Sequence, residues 1–385
     1  MFEGQLRILH VCAVGITARA FLLPVLRQLR ADGHEVWLVC SDDADARYVA
    51  AQGIPYFAVR ISRRISVWDI VSVLRLCRFI CERRFHVVTG HTSKGAFVGR
   101  LAAWLARVPY IIYTVHGYLI HEQWKPVRMT YAAVERWLGR RTTLFVTVTK
   151  RVRDYLIEHG IAPAEAIVTI YNGIDVERFK RENIAAERRS ELLTAWEVPA
   201  GAVVVGTLSR LVEGKGLEDL VRAFAKVHAR CKNTVLVIGG DGELRSMLEY
   251  QVERAGIGEA VRFIGWQEDV PAALSCFDVF CLPTLREGFG YVFLEAQAMG
   301  VAVVGTRIEP LTETMEDQET ALLVRPRDEE ELAAALERCV RDEGLRERLA
   351  RNGRERVQER FSLARQLAEV SRLYRRVRDE VLTVR

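Results

Sequence analysis

The sequence predicts an α/β protein with parallel β-sheets, and two observations lead to this class. Short apolar runs rich in β-branched residues alternate with segments whose apolar residues recur at helical spacing. The first unit, a strand over 7–14, a helix over 19–30 and a strand over 35–39, implies parallel strands whose carboxyl ends face ligands. A chain of 385 residues is too long for one ordinary core, so we expect two domains of comparable size.

The alternation continues along the chain with one interruption. In the first half, further strands are expected at 86–88, 110–115, 144–149 and 167–171. In the second half, they are expected at 202–207, 235–238, 261–264, 277–282 and 301–304. A charged stretch over 178–193 breaks the pattern and is interpreted as part of a linker. The predicted organisation is an N-terminal domain at 1–177, a linker region at 178–198, a C-terminal domain at 199–362 and a last helix at 363–385.

The composition favours a protein of the cytoplasm. Half of the residues are hydrophobic, yet no window approaches the roughly 20 apolar residues of a membrane span. The N-terminus also lacks a charged region followed by a signal-like apolar core. The net charge of +5 is unevenly distributed, because residues 1–180 hold 25 Lys/Arg against 15 Asp/Glu. An anionic partner is therefore expected to meet the first half, and nucleic acid is not among the expected partners.

Neither the cysteines nor the acidic pairs indicate a metal site. Eight cysteines lie in apolar segments without CxxC spacing, which favours reduced, buried thiols. They are Cys12, Cys40, Cys77, Cys81, Cys231, Cys276, Cys281 and Cys339. Asp43 and Asp45 form a DxD pattern, but Ser41 has the character of a helix N-cap and the two acids fit the first helical turn. We therefore expect no metal and no other cofactor.

The stretch 283–300 (PTLREGFGYVFLEAQAMG) follows an apolar strand and opens into a helical pattern at about Phe289. Free N–H groups at Gly288 to Gly290 and the positive end of the helix dipole favour phosphate or sugar hydroxyls there. Glu287 lies just before the turn and Glu295 two helical turns on, so they could grip opposite ends of one elongated ligand. A helix cap at Glu287 and a solvated helix residue at Glu295 would fit the same sequence.

Two loops that follow strands in the second half suit phosphate groups. Arg210 and Lys215 stand five positions apart in GTLSRLVEGKG, and two such cations suit a diphosphate. The loop lacks the GxxxxGK[ST] pattern and is therefore not a P-loop. The GGDG run at 239–242 would let a flat group lie on the backbone, and a simple tight turn explains it equally well.

The first half contains two further candidate strand exits. One strand leads into 90–95 (GHTSKG) and another into His116. His116 is the better candidate because it stands at the carboxyl end of a strand, with a structural histidine as the alternative. Gly15 stands where the loop after the first strand approaches a ligand, and a plain turn glycine fits equally well.

Two basic segments of the first half are candidates for an anionic partner. Residues 60–84 combine seven arginines with an expected helical core stripe. The members of this stripe are Val67, Ile70, Val71, Leu74 and Cys81. Residues 124–141 form a second basic segment with aromatic residues. Both could rest on an anionic membrane surface or hold an anionic acceptor, and both could equally be solvated faces of core helices.

These pieces, in this order, resemble the GT-B glycosyltransferases, specifically the retaining group 4 type that uses nucleotide-sugar donors. The resemblance covers nearly the whole chain. It rests on EGFGYVFLE with Glu287 and Glu295, and on GTLSRLVEGKG, GGDGEL and YNGID. It implies two Rossmann-like domains facing across a cleft, with the N-terminal domain for the acceptor and the C-terminal domain for the donor.

The resemblance also implies roles for individual residues. Arg210 and Lys215 would bind the donor diphosphate and stabilise it as the leaving group. Glu287 would hold hydroxyls of the donor sugar, Glu295 those of the ribose, and His116 would reach the donor sugar. The other donor-binding candidates are Gly15, Gly239, Asp241, Gly242, Trp266, Gly288, Phe289 and Gly290. Ile16 and Thr17 stand where many relatives carry a second glycine, which leaves the loop contact at Gly15 open.

The implied function is a retaining, metal-independent transfer from a nucleotide sugar, with UDP as the expected nucleotide, to a glycan or lipid-linked acceptor. Residues 91–117 resemble N-terminal domains of bacterial enzymes that build capsule, O-antigen or other lipid-linked glycans. This favours a polyprenyl-diphosphate-linked acceptor and a peripheral position at the inner membrane face. The alternatives are a transferase with a soluble small-molecule acceptor and a non-catalytic sugar-nucleotide-binding protein.

Overall fold

The structure, a computed structural model, describes residues 4–61, 68–117 and 125–383, with the backbone alone for 125–128. It divides into two compact units. One contains the chain up to Tyr171 together with the residues from Ala364 onward, and the other is Asn172–Leu363. Each unit is built on one parallel sheet, so the predicted α/β class is confirmed.

The first unit has a seven-stranded sheet in the order β3-β2-β1-β4-β5-β6-β7. Its strands are β1 (Arg7–Val11), β2 (Glu35–Cys40), β3 (Tyr56–Ala58), β4 (Val87–His91), β5 (Tyr110–Val115), β6 (Leu144–Thr147) and β7 (Ile167–Thr169). Its helices up to Tyr171 include α1 (Gly15–Thr17), a π-helical turn (Ala18–Leu22), α2 (Leu23–Ala31), α3 (Ala44–Ala51), α4 (Trp68–Arg83), α5 (Ser93–Leu105), α6 (Lys125–Gly139) and α7 (Lys150–Glu158). The strand order reverses between β1 and β4, and ligands of such sheets bind at this switch point.

The second unit repeats the arrangement with six parallel strands in the order β10-β9-β8-β11-β12-β13. Its strands are β8 (Val203–Leu208), β9 (Thr234–Gly239), β10 (Val261–Gly265), β11 (Val279–Leu282), β12 (Ala302–Thr306) and β13 (Leu322–Val324). Its helices include α8 (Ala186–Ala195), α9 (Leu217–Arg230), α10 (Arg245–Arg254), α11 (Val270–Ser275), α12 (Tyr291–Ala298), α13 (Leu311–Thr314), α14 (Glu329–Arg341) and α15 (Glu343–Arg360). Here the switch point lies between β8 and β11.

The last helix, α16 (Leu363–Thr383), packs into the core of the first unit. Its buried residues recur at helical spacing and join the core cluster that contains Leu6, Ile8 and Leu26. They are Val370, Leu373, Tyr374, Val377 and Val381. The first unit therefore closes its core with the C-terminal segment of the chain.

The predicted linker at 178–198 lies within the second unit. It forms a short 3₁₀ turn (Arg181–Asn183) and helix α8, and the Arg181 guanidinium donates to the Ser275 carbonyl at 2.9 Å. None of the residues of α8 is fully buried. The charged, exposed character of this surface helix is why its sequence resembles a break between domains.

The core stripe predicted for α4 is wrong. Ile70, Val71 and Leu74 are 66%, 45% and 61% exposed, and Cys81 is exposed as well. Val67 lies outside the described residues. The helix instead buries its other apolar face, in which Phe79 stacks on Phe57 of β3 with ring centroids 4.1 Å apart. The sequence of α4 contains two apolar stripes. The stripe that is buried packs against β3, a strand that the sequence pattern did not predict.

The described part of the chain contains no helix that combines enough length with enough apolar character to span a lipid bilayer.

Candidate functional site

The loops that follow β8, β9 and β11 meet at the carboxyl edge of the second sheet. The amide of Leu211 donates to the Asp241 carbonyl at 2.9 Å, and the amide of Leu244 donates to the Leu211 carbonyl at 2.9 Å. Across the switch point, the amide of Leu285 donates to the Gly214 carbonyl at 2.8 Å. Backbone hydrogen bonds therefore hold the predicted cation loop, the GGDG turn and the EGFG turn as one surface.

Two glycines of this surface are required by close backbone approach. Gly216 has a φ of +68°, and a Cβ there would lie 2.0 Å from the Pro283 carbonyl oxygen. Gly240 has a φ of +125°, and a Cβ there would lie 1.8 Å from the Ser209 oxygen. A side chain at either position would push neighbouring loops apart. These contacts explain the GKG and GGDG patterns without a ligand.

Lys215 and Glu287 form an ion pair with their charged atoms 2.5 Å apart. The side chains are 19% and 13% exposed, so solvent screens this pair little. The alternative of Glu287 as a helix cap does not apply, because the N-cap of α12 is Gly290. Arg210 is exposed, and it forms no ion pair with any described residue. The structure thus brings Lys215 together with Glu287 and leaves Arg210 facing solvent.

The turn before α12 presents backbone donors beside this ion pair. Gly290 has a φ of +84°, and α12 begins at Tyr291, two residues later than the sequence indicated. In the described chain, no hydrogen bond is made by the amides of Gly288, Phe289 and Gly290. The Phe289 side chain is buried against Phe361, with ring centroids 6.2 Å apart. Phe289 can therefore offer only its backbone to a ligand.

Glu295 on α12 is not a solvated helix residue. Burial raises the pKa of its carboxyl to about 7, and the charge of Arg178 opposes that rise. The same burial raises the pKa of Tyr291. Arg178 lies three residues beyond the YNGID motif and was missed at the sequence level, because nothing local links it to a glutamate more than a hundred residues away.

Trp266 and Asp241 lie on the exposed side of the same surface. The Trp266 side chain is 67% exposed and follows Gly265, whose carbonyl accepts from the Gly240 amide at 2.7 Å. The Asp241 carboxylate accepts from the Gly242 amide at 2.8 Å. Gly239 is the last residue of β9 and is buried. The predicted base-binding residues therefore lie on adjacent loops of one unit.

In the first unit, the candidate loop at Gly15 is occupied by a neighbouring carboxylate. The Gly15 amide donates to Asp43 at 2.8 Å, and a Cβ on Gly15 would lie 2.0 Å from the same carboxylate. Asp43 also accepts from the Ala46 amide at 2.8 Å and is the N-cap of α3, which corrects the assignment of that cap to Ser41. Asp45 pairs with Arg19 at 2.9 Å. Both acids of the DxD pattern therefore have structural partners.

The described residues contain no group of three or more histidine, cysteine or acidic side chains placed to hold a metal ion.

His116 directly follows β5 and contacts a second histidine. Its Nε2 lies 3.3 Å from Nδ1 of His91, the last residue of β4. His91 in turn lies 2.9 Å from His10 on β1. Burial lowers the pKa of His116 to about 4. The sequence showed a histidine near the end of each strand, but not that β1, β4 and β5 are neighbours in the sheet.

Two doubly wound α/β units are the architecture of the GT-B fold, and a solved structure shows the same fold. The crystal structure of Anabaena Alr3699/HepE in complex with UDP and glucose matches with a TM-score of 0.80. It is 22% identical in sequence, and the match covers 96% of this chain and 99% of that one. This likeness shows the shared fold.

The family follows from two profile matches, one for each half of the chain. Residues 17–173 match the family described as "Glycosyl transferase 4-like domain", and residues 189–356 match the one described as "Glycosyl transferases group 1". Together these two glycosyltransferase models span most of the chain, which is therefore a glycosyltransferase.

Named relatives agree with this assignment. A UDP-Gal:alpha-D-GlcNAc-diphosphoundecaprenol alpha-1,3-galactosyltransferase of Escherichia coli is 25% identical over 346 residues, which are 88% of each protein. The lipopolysaccharide core biosynthesis glycosyltransferase LpsE of Rhizobium meliloti is 40% identical over 237 residues, which are 62% of this chain and 63% of that one. Both relatives are named as glycosyltransferases.

Proposed function

We propose that the protein transfers a sugar, with retention of configuration and without a metal ion, from a UDP-sugar to a glycan or lipid-linked acceptor in the synthesis of bacterial cell-surface polysaccharide. The observation that carries the proposal is the contact between Lys215 and Glu287. It sets a cation suited to phosphate next to a carboxylate suited to sugar hydroxyls. The bond that a glycosyltransferase breaks joins a phosphate to a sugar.

The mechanism relies on charges that stabilise the leaving group. As the bond between the sugar and the phosphate oxygen breaks, negative charge grows on the diphosphate, where Arg210 and Lys215 neutralise it. The amides of Gly288, Phe289 and Gly290 add donors at the start of α12. The acceptor oxygen bonds to the same face of the sugar, and the leaving phosphate takes its proton. This route assigns no dedicated base.

The other candidates bind the rest of the donor. Glu295 accepts hydrogen bonds from the ribose hydroxyls, and its burial makes such bonds stronger than they would be in water. The exposed indole of Trp266 and the backbone of Gly239 to Gly242 border the base. His116 donates a hydrogen bond to the sugar. The Gly15 amide donates to Asp43 and is therefore not free to bind the donor.

The proposed donor and acceptor are supported by the named relatives and by charge. The Escherichia coli relative is named for a UDP-sugar and a diphosphoundecaprenol-linked acceptor, and the Rhizobium relative for lipopolysaccharide core synthesis. The first unit contains 29 Lys/Arg against 16 Asp/Glu, which suits an anionic diphosphate-linked acceptor.

Helix α4 supplies a surface for the membrane in which such an acceptor lies. Its exposed face carries Trp68, Ile70 and Leu74, which are 56%, 66% and 61% exposed. Arg75 and Arg78 lie on the same exposed side. Apolar side chains flanked by arginines fit an interface with anionic lipid headgroups. Trp124, which belongs to the second basic segment, lies outside the described residues.

The test is direct transfer with defined substrates. Purified protein would be incubated with a panel of UDP-sugars and an undecaprenyl-diphosphate-linked sugar, and the anomeric configuration of the product would be read by NMR. We expect an α-linked product from an α-linked donor. Transfer to soluble sugars alone, an inverted linkage, or binding of UDP-sugar without any transfer would each overturn part of the proposal.

A further inference from the structure

Three histidines form a continuous hydrogen-bonded chain at the switch point of the first sheet. His10 Nδ1 lies 2.9 Å from His91 Nε2, and His91 Nδ1 lies 3.3 Å from His116 Nε2. The rings of His10 and His91 are stacked, with centroids 5.1 Å apart. The chain exists because β1, β4 and β5 are adjacent strands. It runs from the core at His10 to the exit of β5 at His116.

All three rings are electrically neutral at neutral pH. His10 and His91 are 1% and 3% exposed, and burial lowers the pKa of His10 to about 3 and that of His91 well below its usual value. The hydroxyls of Thr89 and Tyr374, whose ring lies near that of His10, bond to each other at 2.7 Å. Within the described residues, no carboxylate that could stabilise an imidazolium bonds to any of the three rings.

Each neutral ring has one N–H, so only two proton arrangements keep both hydrogen bonds of the chain. In the first, His10 Nδ1–H donates to His91, His91 Nδ1–H donates to His116, and His116 has its own proton on Nδ1. In the second, every bond is reversed, and His10 carries its proton on Nε2. That nitrogen is buried and has no partner. A buried N–H without an acceptor is rarer in proteins than an under-satisfied acceptor, so the first arrangement is favoured.

We propose that His10 and His91 are positioning residues that hold His116 as its Nδ1–H tautomer. His116 then presents a fixed N–H donor, and its other nitrogen is engaged by His91 and cannot accept a proton. Among described residues Nδ1 of His116 has no partner, so it is available to a ligand oxygen. The assignment of this oxygen to the transferred sugar rests on the proposed function, whereas the assignment of the tautomer does not.

The first experiment reads the tautomers directly. Protein with ¹⁵N-labelled histidine would be studied by long-range ¹H–¹⁵N correlation at neutral pH without any substrate. We expect the Nδ1–H form for His10, His91 and His116. In a His91→Phe variant, which keeps a ring but removes both hydrogen bonds, His116 should become a mixture of tautomers. An Nε2–H signal for His116 in the native protein, or an unchanged tautomer in the variant, would overturn the proposal.

A matched control separates this effect from general damage to the fold. His86 is also buried in this unit, and its Nδ1 accepts from the Arg7 amide at 3.0 Å, but it is not part of the chain. His86→Phe should leave the tautomer of His116 unchanged. If it alters that tautomer as much as His91→Phe does, the histidine chain is not the cause.

The second experiment asks whether the tautomer matters for transfer. His91→Phe should lower kcat about tenfold, as expected for one misdirected hydrogen bond, with the Kd for UDP unchanged. His91→Gln should restore much of the loss, because its amide oxygen can accept from His10 and its amide N–H can donate to His116. If the tautomers behave as expected but no transfer occurs in native protein, the proposed function fails and the positioning role stands.

Discussion

At the scale of single residues, Lys215 and Glu287 supply two charges that the proposed reaction uses on opposite sides of one bond. Replacing Lys215 with Ala removes a cation from the leaving phosphate, and replacing Glu287 with Ala removes a contact to the sugar. We expect each change to reduce kcat/KM at least about a hundredfold, the typical cost of losing one transition-state electrostatic contact. Steady-state transfer assays would measure it.

The control for this prediction is an ion pair elsewhere in the same unit. Lys226 pairs with Glu330 at 2.6 Å on the exposed surface, where such pairs contribute little. Lys226→Ala should retain nearly native activity. Near-native activity in the Lys215 or Glu287 variants would instead show that their contact is structural.

Glu295 gives a pH-dependent signature at the same scale. Its pKa in the folded protein is raised to about 7, so the folded state holds a proton that the unfolded state loses near the ordinary value of 4.5. This contribution to stability is complete below about pH 4.5 and is lost as the pH rises through 7. The melting temperature of the native protein should therefore fall between pH 5 and pH 8 relative to that of Glu295→Gln.

Glu253 on α10 is exposed and provides the matched substitution. Glu253→Gln should follow the pH profile of the native protein. Parallel profiles for native protein and Glu295→Gln would contradict the raised pKa.

At the scale of elements, α4 is predicted to bind membranes through its exposed face. Ile70 and Leu74 contribute nothing to the core, so replacing both with Ser should leave the melting temperature nearly unchanged. Because two large apolar side chains no longer enter the lipid, binding to vesicles rich in anionic phospholipid should weaken about tenfold or more. Vesicle sedimentation at low and physiological salt would measure both the apolar and the charge contribution.

An exposed leucine on another helix is the comparison for α4. Leu105, the last residue of α5, is 46% exposed, and Leu105→Ser should bind vesicles as the native protein does. If the α4 variant and Leu105→Ser lose vesicle binding equally, or if the native protein does not bind vesicles, α4 is not a membrane-binding surface.

Strands, loops and helix starts could be predicted from the sequence where neighbouring residues determine them. A buried strand, a glycine-bearing loop and a helix start follow one another directly in the chain, so the turn at Gly288 and the loop with Arg210 could be found from the sequence. Contacts between residues that the strand order brings together could not be predicted from the sequence. Lys215 and Glu287 meet because β8 lies beside β11, and His10 meets His91 because β1 lies beside β4. The misassigned stripe of α4 has the same origin, since its partner strand β3 left no clear pattern.

At the scale of the whole molecule, the two units divide the charge unequally. The second unit holds 26 Lys/Arg against 34 Asp/Glu, so its net charge opposes an anionic nucleotide sugar. In the proposed function, binding there depends on local groups, namely Arg210, Lys215 and the amides before α12, rather than on the overall field. The first unit is strongly basic and would attract anionic acceptors and lipids at long range.

This division bears on the question of a metal ion, which many phosphate-transfer reactions use to neutralise the leaving group. If Arg210, Lys215 and the helix start supply that charge, transfer in the intact protein should be unchanged by excess EDTA. Activity would be measured with and without chelator, and then with added Mg²⁺. A loss of activity that Mg²⁺ restores would contradict the proposed mechanism and make Asp43 and Asp45 candidate metal ligands.

The variant Asp43→Asn would then distinguish two roles of that residue. If Asp43 mainly caps α3, the variant changes the melting temperature. If Asp43 is a metal ligand, the variant changes the Mg²⁺ dependence of transfer.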